Sequence, residues 1–227
     1  MLTPSSNTVL EPATAALAAP LAAQVTVHYS RFPVTRISHD AESHRQFAFE
    51  PMLAAARLLA DARVHVITWI GTSGAWEGLD HDRALVERIE YDTGIRATTA
   101  TLTLVETMRS AQVERYALVV PYTDAITKRI KAVLSTEGFE CIGSTNERLT
   151  DNFAFAEISP ERVVERARSI ADGAQAVVIH CTNLRGAAVA GSLAAELGRP
   201  VLDSVVIALH GALVAVGIKA ALPGMAP

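Results

Sequence analysis

Residues 174–187, AQAVVIHCTNLRGA, run from an apolar β-branched stretch into a short polar loop and then into a helical pattern. Residues 62–75, ARVHVITWIGTSGA, show the same order of features. A short apolar run that ends in a polar loop before a helix is typical of a βα unit in a parallel sheet. The likeness of the two segments predicts two similar halves with a shared cleft, and it is equally compatible with two unrelated βα junctions.

The rest of the chain alternates short β-branched runs with longer helical patterns, which predicts an α/β fold with parallel strands covered by helices on both faces. We predict strands near residues 25–29, 64–70, 96–99, 116–120, 138–142, 176–180 and 200–202. We predict helices over residues 41–60, 80–93, 123–137, 160–172, 186–197 and 204–216. A length of 227 residues accommodates one large domain or two small ones.

Composition and charge exclude several classes of function. Half of the residues are apolar, yet no apolar stretch is long enough to span a bilayer, so we expect no membrane partner. The net charge is −4 and the basic residues are scattered, so the chain offers neither a basic face nor a motif for nucleic acid.

The N-terminal segment and the cysteines bear on where the protein resides. Residues 1–23 are rich in alanine but lack the basic start of a secretory leader, and Glu11, Pro12 and Pro20 interrupt the apolar run. The two cysteines form neither a disulfide framework nor a CxxC pair for zinc. These features predict a cytoplasmic protein with no metal site.

Cys181 is the strongest candidate for chemistry, because it lies where a buried strand ends and a thiol there faces a cleft. Thr182, Asn183 and the backbone at Gly186 add hydrogen-bond donors, and the following helix directs its positive end toward a bound anion. The alternative is that Cys181 is a small buried hydrophobic residue, as most free cysteines are. His180 alternates to the other face of the strand, where we expect it to be packed rather than to act as a base.

The loop Gly71-Thr72-Ser73-Gly74 offers two hydroxyls and several unhindered backbone amides within four residues. Such a loop suits a carboxylate or an enolate oxygen. It lacks the lysine of a Walker loop and the spacing of a dinucleotide fingerprint, so it supports neither class of nucleotide. Small residues at a βα junction also serve simply to make the turn.

Further candidates lie in three other loops. Tyr122 follows an apolar strand and would hold a carboxylate with its hydroxyl, Asn7 lies in PSSNT at residues 4–8, and Asn152 lies in TDNF at residues 150–153. Each also has an ordinary structural interpretation, and Asp124 is read as helping to open the next helix. Cys141, beside Gly143, is expected to be structural.

Taken in order, PSSNT, IGTSG, VPYTD, DNFA and HCTNLRG resemble the maleate cis-trans isomerase and arylmalonate decarboxylase branch of the aspartate/glutamate racemase superfamily. The resemblance spans nearly the whole chain. It implies two α/β halves related by pseudo-twofold symmetry, no cofactor, and catalysis in the cleft between them. We place residues 1–112 with 203–227 in the first half and residues 113–202 in the second. Because only three residues precede Pro4, the first strand of the family is expected to be short here.

The sequence departs from part of this family at one position. Racemases and maleate isomerases of the superfamily carry a cysteine at the equivalent strand tip of each half, whereas this chain has Gly71 at the first tip and Cys181 at the second. A glycine followed by Thr-Ser, with one cysteine opposite, resembles the arylmalonate decarboxylases. That resemblance implies that Cys181 delivers a proton to an enediolate held by Thr72, Ser73, Tyr122 and nearby amides.

Other motifs favour the isomerases, in which the asparagines matching PSSNT and HCTNLRG bind substrate carboxylates. The leading hypothesis is a cofactor-independent decarboxylase of a malonate-like small dicarboxylic acid. The alternatives are an isomerase or racemase of a small dicarboxylate or related acid, and a non-catalytic carboxylate-binding protein. The sequence leaves homo-oligomerisation open. The predicted site consists of Cys181 as proton donor, with substrate-binding residues Asn7, Gly71, Thr72, Ser73, Tyr122, Asn152 and Thr182.

Overall fold

The computed structural model describes residues 1–225 and contains two four-stranded parallel sheets. The first sheet has the strand order β2-β1-β3-β4, formed by β1 (Leu2–Pro4), β2 (Ser30–Phe32), β3 (Ile67–Trp69) and β4 (Ala97–Thr99). The second has the order β6-β5-β7-β8, formed by β5 (Arg115–Val120), β6 (Glu140–Asn146), β7 (Ala176–Ile179) and β8 (Val201–Asp203). All pairings within these two sheets are parallel.

Ten helices accompany the strands over the described residues. In chain order they are α1 (Leu10–Ala18), α2 (Ala41–Arg45), α3 (Phe49–Asp61), α4 (Gly74–Glu77), α5 (Leu79–Thr93), α6 (Ala100–Ser110), α7 (Asp124–Thr136), α8 (Pro160–Ile170), α9 (Ala190–Leu197) and α10 (Ser204–Ala215). Over the same part of the chain, no helix combines the length and the apolarity that crossing a membrane requires.

The two halves repeat the same strand order and the same register. Ile67 pairs with the first residue of β4, and Val177 pairs with the first residue of β8. Gly71 and Cys181 each lie four positions later (67 to 71, 177 to 181), so they occupy equivalent strand tips. This repeat confirms the predicted fold class of two similar parallel α/β halves.

The helices that follow the last strand of each sheet pack against each other. Helix α6 follows β4, α10 follows β8, and these two equivalent helices pack against each other. Helix α10 is apolar almost all round and buried along most of its length, as expected of a helix enclosed by protein. Helix α10 also contacts α1, β3 and β4, which belong to the first sheet and its helices. The assignment of residues 203–227 to the first half stays a prediction.

Side-chain caps explain where several helices begin. Thr99, Thr123, Ser159 and Asp203 each precede a helix and accept a hydrogen bond from a backbone N–H of its first turn. Pro160 occupies the first position of α8, where a missing N–H costs nothing. The loops that precede these helices are therefore held in place at the carboxyl ends of the strands.

The predicted strand near residues 25–29 is wrong. The second strand of the first sheet is instead Ser30–Phe32, which pairs with Leu2–Pro4. Within residues 1–225, residues 25–29 form no strand and pair with none. Their apolar pattern reflects packing against the cluster around α10. The first strand itself is short, at three residues, as expected.

The predicted helix over residues 41–60 is two helices, α2 and α3, with a break at residues 46–48. Pro51 has no backbone N–H, so it cannot take part in the hydrogen bonds of a continuous helix over residues 41–60. It lies instead in the first turn of α3, where no such bond is needed. The Gln46 side chain accepts hydrogen bonds from the backbone of Thr35 and Arg36, which also draws the chain out of the helical path.

Two other bounds are corrected. Helix α9 begins at Ala190 rather than 186, since residues 181–189 form the turns of the site loop. Strand β6 runs over 140–146 rather than 138–142, because Gly138 adopts φ 91°, which is outside the extended region. Helices α1, α4 and α6 were not predicted from the sequence.

Candidate active site

The candidate site lies where loops from both halves meet at the carboxyl ends of the strands. Three hydrogen bonds in which both partners are side chains cross between the halves there. Asn7 Nδ2 donates to Thr182 Oγ1 (3.2 Å), and Asn152 Nδ2 donates to Ser6 Oγ (2.7 Å). The third joins the hydroxyls of Thr72 and Tyr122 (2.8 Å). The predicted residues of the two halves are thus brought together.

Cys181 follows β7 and is 2% exposed. The backbone N–H of Asn183 points to its sulfur at 3.4 Å. Burial raises the pKa of the Cys181 thiol to about 11, and the Tyr122 hydroxyl and the amides of Asn183 and Leu184 oppose this shift only in part. Cys181 is therefore a neutral thiol at pH 7, able to give up a proton but weak as a nucleophile.

Tyr122 follows β5 and is fixed in the site by its ring and its hydroxyl. The ring packs edge-on against Trp76 and Phe155, with centroids 5.1 and 5.4 Å away. Burial first, and the neighbouring Cys181 second, hold the pKa of Tyr122 well above its usual value. Its hydroxyl therefore stays protonated and remains a donor.

Asn7 and Asn183 arrange the loops around the site. The Asn7 side-chain oxygen accepts from the backbone N–H of Val9 (3.0 Å) and Leu10 (2.9 Å), which leaves its NH₂ group for Thr182. The Asn183 oxygen accepts from Thr8 N–H (3.0 Å) and Val9 N–H (3.2 Å).

The Asn183 NH₂ donates to the Asn152 carbonyl at 2.5 Å. The Asn183 side chain thus ties the loops of residues 7–9, 150–153 and 181–189 together. The sequence analysis named Asn183 only as a hydrogen-bond donor and did not predict this structural role.

Gly71, Thr72 and Ser73 form the opposite side of the site. The Ser73 hydroxyl accepts a hydrogen bond from Trp69 Nε1 at 3.2 Å. A Cβ placed on Gly71 would lie 2.0 Å from Trp69 Cζ2, so the indole fills the space that a side chain at residue 71 would need. Trp69 was not among the predicted residues, although its position two residues before a glycine puts both on one face of the strand.

Three residues discussed from the sequence lie outside this set. His180 is fully buried, and burial lowers its pKa to about 4, which agrees with a packed neutral imidazole. Cys141 lies on β6 and donates to the Gly143 carbonyl (3.3 Å). Asp124 opens α7 and accepts from Asn146 Nδ2 (2.9 Å).

Asp203 is a further buried group near Cys181 that sequence reasoning missed. Its Oδ1 accepts from the backbone N–H of Val205 (2.8 Å) and Val206 (3.2 Å), which starts α10. Burial raises its pKa to about 7, and a charge on Asp203 raises the pKa of Cys181. An aspartate directly after a strand and before a helical run is the available signal for such a cap.

The polar atoms of the site are hydroxyls, amide NH₂ groups, backbone N–H groups and one thiol. Among the residues that the structure describes, His, Cys, Asp and Glu side chains form no group of three that could hold a metal ion. Apart from Asp203, whose Oδ1 caps α10, the polar groups of the site are neutral donors, and such a set suits a small anion such as a carboxylate.

A family model described as arylmalonate decarboxylase matches residues 21–226. The chain belongs to the arylmalonate decarboxylase family. The family relationship inferred from the five motifs is thereby confirmed, and the protein is an enzyme, either a lyase or an isomerase.

The relatives of this arylmalonate decarboxylase family protein include both maleate isomerases and an arylmalonate decarboxylase. It is similar to the maleate isomerase of Alcaligenes faecalis, at 22% identity over 98% of this chain and 92% of the relative. It is also similar to the arylmalonate decarboxylase of Bordetella bronchiseptica, at 26% identity over 68% of this chain and 66% of that protein. Family membership therefore does not by itself decide between the two reactions.

The fold of this protein also matches solved structures. The maleate isomerase of Pseudomonas putida S16 superposes with a TM-score of 0.89 at 23% identity, covering 98% of this chain and 94% of that one. This likeness extends to both sheets, so the two-half architecture is that of the solved enzymes.

Proposed function

We propose that this enzyme decarboxylates a malonate-like small dicarboxylic acid, through an enediolate that Cys181 protonates. The observation that carries the proposal is the asymmetry of the two strand tips. One tip holds a neutral thiol with its pKa raised to about 11, and the other holds Gly71 beneath the Trp69 ring. One proton donor facing a carboxylate-binding loop fits a reaction that needs one proton transfer to carbon.

In the reaction, the bond between the α carbon and one carboxylate breaks and carbon dioxide leaves. The bonding electrons move into the retained carboxylate, which becomes an enediolate. The Thr72 and Tyr122 hydroxyls and the amides after Cys181 are donors for its oxygens. Preorganised donors of this kind stabilise charge where it develops in the transition state.

Cys181 then transfers its sulfhydryl proton to the α carbon, and the resulting thiolate takes a proton from water. The α carbon of an enediolate is a stronger base than a thiolate, so a thiol of pKa about 11 is still acidic enough to donate. Asn7, Asn152 and Thr182 border the same region and supply further NH₂ and hydroxyl groups for the substrate, while Ser73 orients the loop through Trp69.

Isomerisation of maleate is the second candidate, supported by the Asn7 and Asn152 arrangement between the halves. A maleate isomerase from Nocardia farcinica has been solved with a covalently bound succinylcysteine. Forming such a bond requires a nucleophilic thiolate. Because burial raises its pKa to about 11, Cys181 is mostly protonated at pH 7, which favours proton donation over thiol addition.

Product analysis in D₂O tests the proposal. The enzyme is incubated with a panel of α-substituted malonates, and in parallel with maleate, and products are identified by NMR. Decarboxylation predicts monoacid carrying one deuterium at the α carbon, with maleate unchanged. Conversion of maleate to fumarate without turnover of any malonate would establish the isomerase instead.

A further inference from the structure

Trp69 and Gly71 lie on the same face of β3 and its continuation. The Trp69 ring occupies the space that a side chain at residue 71 would need. A Cβ built on Gly71 would lie 2.0, 2.4 and 2.5 Å from three atoms of the Trp69 six-membered ring. Van der Waals contact between carbon atoms requires about 3.5 Å or more. Even alanine at residue 71 therefore requires the indole to move.

The indole is held firmly where it is. Trp69 is 1% exposed, and its Nε1 donates to Ser73 Oγ at 3.2 Å. Its ring packs against Phe32 with a centroid separation of 5.1 Å. Displacing the ring would break this hydrogen bond and disturb a close-packed region. The indole is therefore held in one position.

The Trp69 indole lies opposite the proposed proton donor, Cys181. The repeated register of the two sheets makes Gly71 the counterpart of Cys181. A side chain at residue 71 would thus project from the first half as the Cys181 thiol projects from the second. The Trp69 indole occupies that space.

We propose that Trp69 keeps a second proton donor out of the first-half strand tip at residue 71, which leaves proton transfer to the Cys181 side of the substrate. The inference rests on the proposed function, since it concerns which face of the enediolate is protonated. With the indole in place no second donor fits opposite Cys181. The enzyme consequently forms one enantiomer of a chiral monoacid and does not racemise it.

Four variants test this directly: G71C, W69V, W69V/G71C and the thiol-free control W69V/G71S. Each is incubated in D₂O with one enantiomer of the monoacid product. We expect racemisation with deuterium incorporation only in W69V/G71C, at least tenfold faster than in G71C or W69V/G71S. In that double variant one of the two cysteines, the introduced one or Cys181, removes a proton from one face as a thiolate, and the other adds a proton to the opposite face as a thiol. Equal racemisation by G71C and W69V/G71C would overturn the proposal.

A stability measurement tests the steric basis without relying on activity. The G71A substitution is introduced into the wild type and into the W69V variant, and the thermal midpoints are compared by circular dichroism. We expect G71A to lower the midpoint by several degrees in the wild type, where the indole is present, and by clearly less in the W69V background. Equal shifts would overturn the proposal, whereas absence of malonate turnover by the wild type would defeat only the proposed function.

Discussion

At the scale of single residues, the protonation state of Cys181 separates the two chemistries that the family supports. A buried thiol is harder to ionise than a free one, because burial disfavours the charged form. A proton donor must carry its proton, whereas a nucleophile must have lost it. The same side chain therefore gives opposite pH dependences in the two reactions.

We predict that turnover of the malonate substrate does not rise with pH between 7 and 10, and falls as pH passes about 11. Above its pKa of about 11, Cys181 loses the proton that it donates, and the rate drops tenfold per pH unit. Stopped-flow rates measured during brief exposure to each pH would show this. A rate that rises tenfold per unit from pH 7 would indicate a thiolate nucleophile and contradict proton donation.

The Tyr122 hydroxyl is predicted to stabilise the enediolate together with Thr72. Removing one such donor typically costs about 10²-fold in kcat, so Y122F should lose activity on this order, chiefly in kcat. Tyr116 provides the matched control, because it is buried on β5, the strand that Tyr122 follows, and lies near Cys141 rather than Cys181. Equal activities of Y122F and Y116F would remove Tyr122 from the mechanism.

At the scale of elements, α5 carries a buried carboxyl that makes stability depend on pH. Asp82 is fully buried, and the Thr99 hydroxyl, which also caps α6, donates to it at 2.5 Å. Burial raises the pKa of Asp82 to about 7 despite this bond. The folded state therefore binds a proton more tightly than the unfolded chain, whose aspartates have pKa values of about 3.8.

The stabilisation from Asp82 is full below about pH 4 and is lost as pH rises through 7. A shift of this size corresponds to at most about 4 kcal/mol. We predict that D82N narrows the difference in unfolding free energy between pH 5 and pH 8, measured with urea. Asp203 has a similarly raised pKa, so the variant keeps part of the wild-type dependence. An unchanged difference in D82N would refute the assignment.

Most elements follow from the sequence because their signals are local. Ser159-Pro160 marks the start of α8, and Gly94 and Gly198 end α5 and α9 in the left-handed conformation. The missed elements depend on partners distant in sequence. Helix α6 is rich in threonine, a poor helix former, and is stabilised by packing against α10.

In the site, too, some features follow from local sequence and others depend on residues distant in the chain. The loops that carry Thr72, Tyr122 and Cys181 can be located from strand ends and turn residues alone. Contacts between loops more than a hundred residues apart, such as Asn7 with Thr182, leave no local signal. The Trp69 ring covers Gly71 because of the direction of its side chain, which the order of residues does not specify.

At the scale of the whole molecule, the helices that follow the last strands of the two sheets pack against each other, α6 against α10. Gly211 on α10 lies so close to Thr103 on α6 that a Cβ would be 2.2 Å from the threonine hydroxyl oxygen. The absence of a side chain at residue 211 allows the two helices to approach. This contact links the packing of the helix after the first sheet to that of the helix after the second.

We predict that G211A destabilises the protein by about 1–3 kcal/mol, the usual cost of overpacking a buried site. Urea unfolding followed by tryptophan fluorescence would measure it. T103A/G211A should recover much of the loss relative to T103A alone, because the clash partner is removed. Purely additive effects of the two changes would argue against a close approach of the helices at this point.

The central claim is that Cys181 supplies the proton, and it is tested most directly by NMR of the deuterated monoacid formed from one malonate substrate by C181A and C141A. General acid catalysis typically contributes about 10²–10⁴-fold. We therefore predict that C181A forms the labelled product at least about 10²-fold more slowly than the wild type, while C141A matches the wild type. Undiminished formation of labelled product by C181A would contradict the account.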